Sequence, residues 1–185
     1  MSNRRNFLKT SVLATAANSL PVANSQDRIF NGEVKSYSRL GRTNINISDI
    51  SFGTSRLRAG QEHLIHHAIE KGINYFDSAE GYSRGQAEKV LGTALKGKRE
   101  QVYLVSKTII ERDTKEPELL GRLEASLRSL KTDYVDIYMN HAVNDVQVVA
   151  NPEWQSFIDK AKTQGKIRFN GISGHGGYLV DCINY

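Results

Sequence analysis

The 185-residue chain has one cysteine, three prolines and no long apolar run, and each shortage closes off a class of answer. Cys182 alone cannot build an internal disulfide framework, and it has no neighbour at metal-ligand spacing. The most apolar segment of the N-terminus, Ser11 to Ala17, is too brief to span a bilayer. Excess charge is also scarce. The formal charge is +5, but residues 1–25 hold Arg4, Arg5 and Lys9 and no acid, and without them 22 basic side chains face 20 acidic ones. That balance is no nucleic-acid footprint, and no basic cluster interleaved with aromatics appears. What remains is an ordinary globular composition, 39% hydrophobic and 24% charged, at a length that supports one domain with a sizeable core.

The first residues read as a leader rather than as fold. Ser2-Asn3-Arg4-Arg5-Asn6-Phe7-Leu8-Lys9 resembles a twin-arginine export signal, and the short apolar stretch after it completes the pattern. Ala23-Asn24-Ser25, with Pro21-Val22-Ala23 as a rival, offers small residues where a signal peptidase cuts. The expectation is a signal peptide over 1–25, a polar linker over 26–36, and export to the periplasm or an equivalent compartment through the twin-arginine machinery. That route carries folded proteins, which suits an enzyme that folds around a nucleotide.

From Tyr37 to Ser48, two short segments flank Gly41-Arg42-Thr43-Asn44 and predict a β-hairpin. Asp49 to Gly53 then predicts a strand, and Gln61 to Lys71 a helix with Leu64, Ile65, Ala68 and Ile69 as its apolar stripe and Gly72 just past its end. His63, His66 and His67 lie on that helix without an acid or cysteine partner, which favours a solvated face over a metal site. Ser83-Arg84-Gly85-Gln86 has capping-box spacing ahead of Ala87, Val90, Leu91, Ala94 and Leu95. Pro117 introduces Leu120, Leu123, Leu127 and Leu130, and Pro152 opens a helix with Trp154, Phe157, Ile158 and Ala161. A strand over Ile167 to Ile172 and the loop Ser173-Gly174-His175-Gly176-Gly177 follow. Strand and helix alternate without a break, which calls for a parallel sheet with right-handed crossovers.

The organising stretch is Ile73 to Ser83. A short apolar run bounded by Gly72 reads as a buried parallel strand, with Asp77 at its carboxyl end and Tyr82 on the loop beyond. Such strand ends are where α/β enzymes place their chemistry. Two later strands end likewise, Val102 to Lys107 on a lysine and Val135 to His141 on a histidine.

Asp77, Tyr82, Lys107 and His141 together resemble the catalytic tetrad of the aldo/keto reductases. The text around them agrees, in family order: Arg39-Leu40-Gly41-Arg42-Thr43, Phe52-Gly53-Thr54, Phe76-Asp77-Ser78-Ala79 with Gly81-Tyr82, and Asp133-Tyr134-Val135-Asp136-Ile137-Tyr138. The resemblance covers Tyr37 to Gly177, inside a domain drawn over 37–185. It implies an α/β fold of the (β/α)8 TIM-barrel family, with the hairpin capping the bottom of the barrel. Only five strand signals are present, so the expectation is about the first five βα units of a C-terminally truncated barrel.

The resemblance also implies a chemistry, the reduction of an aldehyde or ketone by hydride transfer from NADPH, or from NADH in its place. A phenol is a poor acid at neutral pH unless a nearby cation stabilises the phenolate. The family pattern makes Tyr82 the proton donor, Lys107 that cation, Asp77 the carboxylate that fixes Lys107, and His141 the group that orients the carbonyl oxygen. Thr54 and Asp77 would line the nicotinamide end, and Ser173 would bond the carboxamide. Where the family carries an asparagine after that serine, this chain has Gly174, with Asn170 or His175 as substitutes. The phosphate-binding loops after the seventh and eighth strands have no counterpart among the five strand signals. The alternative expectation is therefore a noncatalytic or inactive family member that binds a nucleotide or a partner.

Overall fold

A computed structural model describes residues 34–185. The leader and most of the linker expected over 1–36 lie outside the described residues. β1 (Tyr37–Arg39) and β2 (Asn46–Ser48) pair antiparallel as the hairpin, with Tyr37 opposite Ser48. Its side chains reach the first crossover: the Tyr37 hydroxyl donates to the Gly72 carbonyl at 2.8 Å, and the Ser48 N–H donates to Asn74 Oδ1 at 2.7 Å.

The remaining strands are β3 (Phe52–Gly53), β4 (Tyr75–Asp77), β5 (Tyr103–Thr108), β6 (Val135–Asn140) and β7 (Ile167–Ile172). They form one parallel sheet in the order β3-β4-β5-β6-β7, so every neighbour in sequence is a neighbour in space. The crossovers carry α1 (Glu62–Glu70), α2 (Gln86–Ala94), α3 (Glu116–Leu130), the short α4 (Val146–Val149) and α5 (Pro152–Thr163); α6 (Tyr178–Asn184) follows β7. Successive strands shift by whole pairs, with Asp77 opposite Val105 and Lys107 opposite Met139. That register sets the carboxyl ends of β4, β5 and β6 along one edge.

Period-two alternation divides the sheet residues. Phe76, Leu104 and Tyr138 lie in the main core with Ile65, Leu91, Leu119, Leu123, Phe157 and Ile158 of the helices. Tyr75, Asp77, Val105, Lys107, Ile137 and Met139 take the opposite face. At the amino end of β6, Asp136 accepts from Arg99 Nη2 at 2.8 Å, Arg168 Nη1 at 2.8 Å and the Leu104 N–H at 2.9 Å. Both guanidinium groups lie on the Tyr134 ring, 4.1 and 4.4 Å from its centroid. This clasp ties β5, β6 and β7 together at the end of the sheet remote from the carboxyl edge.

Four local expectations need correction. The first parallel strand is confined to Phe52–Gly53. Leu64 is 40% exposed, because a helix turning about 100° per residue carries it off the stripe of Ile65, Ala68 and Ile69. Leu119, rather than Leu120, leads the stripe on α3. Ser83 does not cap α2: its backbone is left-handed at φ 50, Gly85 takes the cap position, and the Ser83 hydroxyl donates instead to the Ser55 carbonyl at 3.1 Å. The histidines on α1 form no metal cluster among the described residues, and His66 Nε2 bonds the Ala94 carbonyl at 2.9 Å. No described helix is long and apolar enough to cross a membrane.

Candidate active site

The site is built on the carboxyl edge of the sheet. Beyond Asp77 the chain continues alongside β5 for another turn of pairing, with Ser78 N–H on the Val105 carbonyl at 2.9 Å and Glu80 N–H on the Lys107 carbonyl at 3.1 Å. These bonds fix the loop that carries Tyr82. Lys107 is 4% exposed, and its ammonium group has three partners: Asp77 Oδ1 at 2.5 Å, the Ser78 carbonyl at 2.8 Å and the Tyr82 hydroxyl at 3.3 Å. A buried ammonium is stable only when compensated in this way. These contacts anchor the Lys107 ammonium group, with the phenol oxygen of Tyr82 at its tip.

His141 follows β6 and is fixed by its own N–H on the Thr108 carbonyl at 2.9 Å. Its ring meets Tyr82 edge to face, centroids 5.5 Å apart and planes at 78°. The imidazole pKa is lowered, first by burial and then by the Lys107 cation and His175, against an opposing pull from Asp77. His141 is thus a neutral ring at pH 7. It can donate a hydrogen bond to an oxygen but does not carry a proton to give away.

Another tyrosine stands on the same face. The Tyr75 phenol is pushed up to about 12 by burial and by the Asp77 carboxylate, so it is a poorer acid than a free phenol. The Tyr82 hydroxyl, by contrast, meets an ammonium group. The four residues singled out at strand ends, Asp77, Tyr82, Lys107 and His141, are therefore brought into one cluster.

Thr54 is fully buried, and both its N–H and its hydroxyl hold the Asp77 carbonyl, at 3.0 and 2.9 Å. It braces the end of β4. Ser173 is half-buried beyond β7; its N–H donates to the Asn140 carbonyl at 2.9 Å, and its Oγ accepts from Ala142 N–H at 3.4 Å. Among the described residues the Ser173 hydroxyl proton has no acceptor. At Gly174 a Cβ would lie 2.5 Å from the Val143 carbonyl oxygen and 3.1 Å from Leu179 Cδ1, so no larger residue fits this backbone. Asn170 lies on the far face of β7, where it accepts from Lys162 Nζ at 2.7 Å. His175 is exposed and close enough to His141 to depress its pKa.

Several supporting residues escaped sequence reasoning. The Glu80 carboxylate accepts from the Thr108 hydroxyl at 2.7 Å, and Arg122 Nη1 donates to the same hydroxyl at 3.3 Å. Behind Lys107, the buried Glu88 accepts from Ser106 at 2.6 Å, and burial raises its pKa. Asn140 is fully buried, and its carboxamide finds no hydrogen-bond partner among the described residues. The acid-hydroxyl pairs carry one faint sequence signal, Ser106 and Thr108 alternating with Lys107 in an otherwise apolar strand.

Comparison with known proteins bears on the chain as a whole. Residues 49–181 match the model of the aldo/keto reductase family. The methylglyoxal reductase YeaE of Escherichia coli is 43% identical over 105 residues, 57% of this chain and 36% of that protein. The aldo-keto reductase YhdN of Bacillus subtilis is 31% identical over 155 residues, 74% of this chain and 46% of its own length. The chain thus spans less than half of these curated relatives. Among solved structures, the aldo-keto reductase AKR11C1 of Bacillus halodurans in its holo form superposes with a TM-score of 0.68 at 28% identity, over 79% of this chain and 52% of that one. The five-stranded parallel sheet corresponds to part of a TIM-barrel-like fold. The matched span takes in most of the chain, and the chain belongs to the aldo/keto reductase family.

Proposed function

We propose that this chain carries the proton-donor side of an NAD(P)H-dependent reductase that converts an aldehyde or ketone to an alcohol. The observation that carries the reading is the Lys107 ammonium, shared between Asp77 at 2.5 Å and the Tyr82 hydroxyl at 3.3 Å. A bound nicotinamide would supply the hydride for the carbonyl carbon. The residues do the rest. Tyr82 gives its proton to the carbonyl oxygen, and the charge left on the phenolate oxygen falls beside Lys107. Asp77 keeps Lys107 in place, and neutral His141 donates a hydrogen bond that aims the carbonyl oxygen at Tyr82. Ser173 and His175 are the side chains available to the carboxamide of NADPH, or of NADH in its place.

The test is reduction of a simple aldehyde by the protein and its Tyr82→Phe variant. Loss of the hydroxyl alone is expected to slow reduction by about 10²-fold or more, with NADPH affinity by fluorescence unchanged. A folded, cofactor-bound variant working at the parent rate overturns the assignment. Gly174 favours a second reading, a nucleotide- or partner-binding member without turnover, because the backbone there leaves no room for a side-chain donor. Absence of reduction together with saturable NADPH binding would decide for it.

The paired Arg4 and Arg5 before Phe7-Leu8-Lys9 support export through the twin-arginine route. Changing both arginines to lysine should leave a folded reporter fused to residues 1–36 in the cytoplasm. A reporter that still crosses rules the leader out.

A further inference from the structure

A cavity of about 530 Å³ opens between the loops that follow β3 and β4, lined by Arg56, Arg58 and Arg84 together with Ser55, Ser83 and Gln86. No acidic side chain is among its lining residues, and none of the three guanidinium groups has an ion pair or side-chain hydrogen bond among the described residues. Four other arginines are paired. Arg99, Arg112, Arg122 and Arg168 each lie on a carboxylate. Three unpaired cations around one concavity concentrate a positive field and attract an anion.

The backbone supports this arrangement at some cost. Ser83 and Arg84 both adopt left-handed φ values, 50 and 56, which residues with a Cβ take up only under constraint. Two bonds hold them there: Ser83 Oγ donates to the Ser55 carbonyl at 3.1 Å across the cavity, and Arg84 N–H donates to the Gly81 carbonyl at 3.1 Å. The first bond ties the two loops together. The second places Arg84 on the wall, two residues beyond Tyr82. The cavity therefore adjoins the proposed proton donor in the chain, as Ser55 adjoins Thr54.

We propose that this cavity is an anion subsite, and that the carbonyl substrate carries a carboxylate or phosphate held by Arg56, Arg58 and Arg84 while its carbonyl oxygen lies at Tyr82. The proposal rests on the reductase reading for the word substrate, but the anion site stands on its own geometry. An oxyanion could also come from the pyrophosphate of the cofactor, so the experiment separates the two sources.

Calorimetric titration of the full chain at low ionic strength with 3-formylbenzoate, benzaldehyde, inorganic phosphate and ADP-ribose tests it. Saturable binding of 3-formylbenzoate and phosphate is expected, with benzaldehyde at least about tenfold weaker, since a charged hydrogen-bond partner is lost. Arg56→Gln, Arg58→Gln and Arg84→Gln combined should abolish the difference between the two aldehydes. These side chains are exposed, and circular dichroism checks that the triple variant keeps its fold. Arg128→Gln with Lys131→Gln, at the far end of α3, should change nothing, and ADP-ribose should not compete with 3-formylbenzoate. Equal binding of the two aldehydes, or an unaltered triple variant, overturns the site. Competition by ADP-ribose overturns the substrate assignment and gives the arginines to the cofactor phosphates. These titrations read binding without turnover and the triple arginine variant leaves Tyr82 intact, so a failure of the reductase reading and a failure of the anion subsite give different results.

Discussion

His141 is the residue whose ionisation reports on the whole cluster. Burial lowers its pKa most, the Lys107 cation and His175 add to the shift, and Asp77 opposes it. An NMR titration of its ring should show a midpoint below the usual 6.5. Lys107→Met should move that midpoint up, and Asp77→Asn should move it down. A midpoint indifferent to both would mean that the cluster does not exist in solution. Because the folded pKa lies below the unfolded one, the imidazole's contribution to stability is complete above about 6.5 and is lost as the pH falls through the folded value. The four cluster residues were legible in the sequence because each ends or follows a short apolar run, so position along the strand stood in for position in space. Their supports were not. The Ser78 carbonyl that holds Lys107 belongs to the backbone of an unremarkable serine. Asn170 looked available as a nicotinamide donor until the pleat of β7 turned it towards Lys162.

At the scale of the elements, α2 and α3 approach each other through Gly92. A Cβ there would lie 2.5 Å from the Leu130 carbonyl carbon and 2.6 Å from the carbonyl oxygens of Leu130 and Ser129. Two effects compete when Gly92 becomes alanine. Helix propensity favours the change by about 1 kcal/mol, whereas forcing a methyl group against backbone costs roughly 1–3 kcal/mol. Backbone atoms cannot swing aside, so the clash should win, and Gly92→Ala should lower the urea midpoint. Gly121→Ala, at an exposed position of α3, meets nothing within 4 Å and should raise the midpoint, through a gain in stability of up to about 1 kcal/mol. Equal shifts in the two variants would contradict the packing of α2 on α3. Helix and strand order could be read from periodicity and from Pro117 and Pro152. The clasp of Arg99, Asp136 and Arg168 could not, because it joins residues more than thirty positions apart and depends on register. Capping failed at Ser83 for a related reason. A spacing rule looks only along the chain, whereas the Ser83 hydroxyl goes to Ser55 on the neighbouring loop.

For the whole molecule, a sheet in sequential order leaves β3 and β7 each paired on one side only among the described residues. Sequence alternation predicted a parallel sheet with right-handed crossovers, and the sequential order was implied by the barrel of the family that the chain resembles. Unpaired strand edges and exposed apolar side chains are the features through which chains associate. Beside β7, α6 adds Tyr178, Val180 and Ile183, exposed by 67%, 59% and 65%. The sheet that carries Lys107 ends at these same two edges. We therefore expect the 185-residue chain to self-associate at micromolar concentrations, visible in sedimentation velocity as a mean coefficient that rises with loading. Val180→Lys with Ile183→Lys should shift the population towards monomer without changing the circular dichroism, since both side chains are solvent-facing. NADPH titrations on the two forms then show whether association matters to the site: tighter binding by the associated form means that a second copy helps to enclose the cofactor. A chain that sediments as a monomer at every concentration would show that the edges and α6 are protected, and the expectation of self-association would fall.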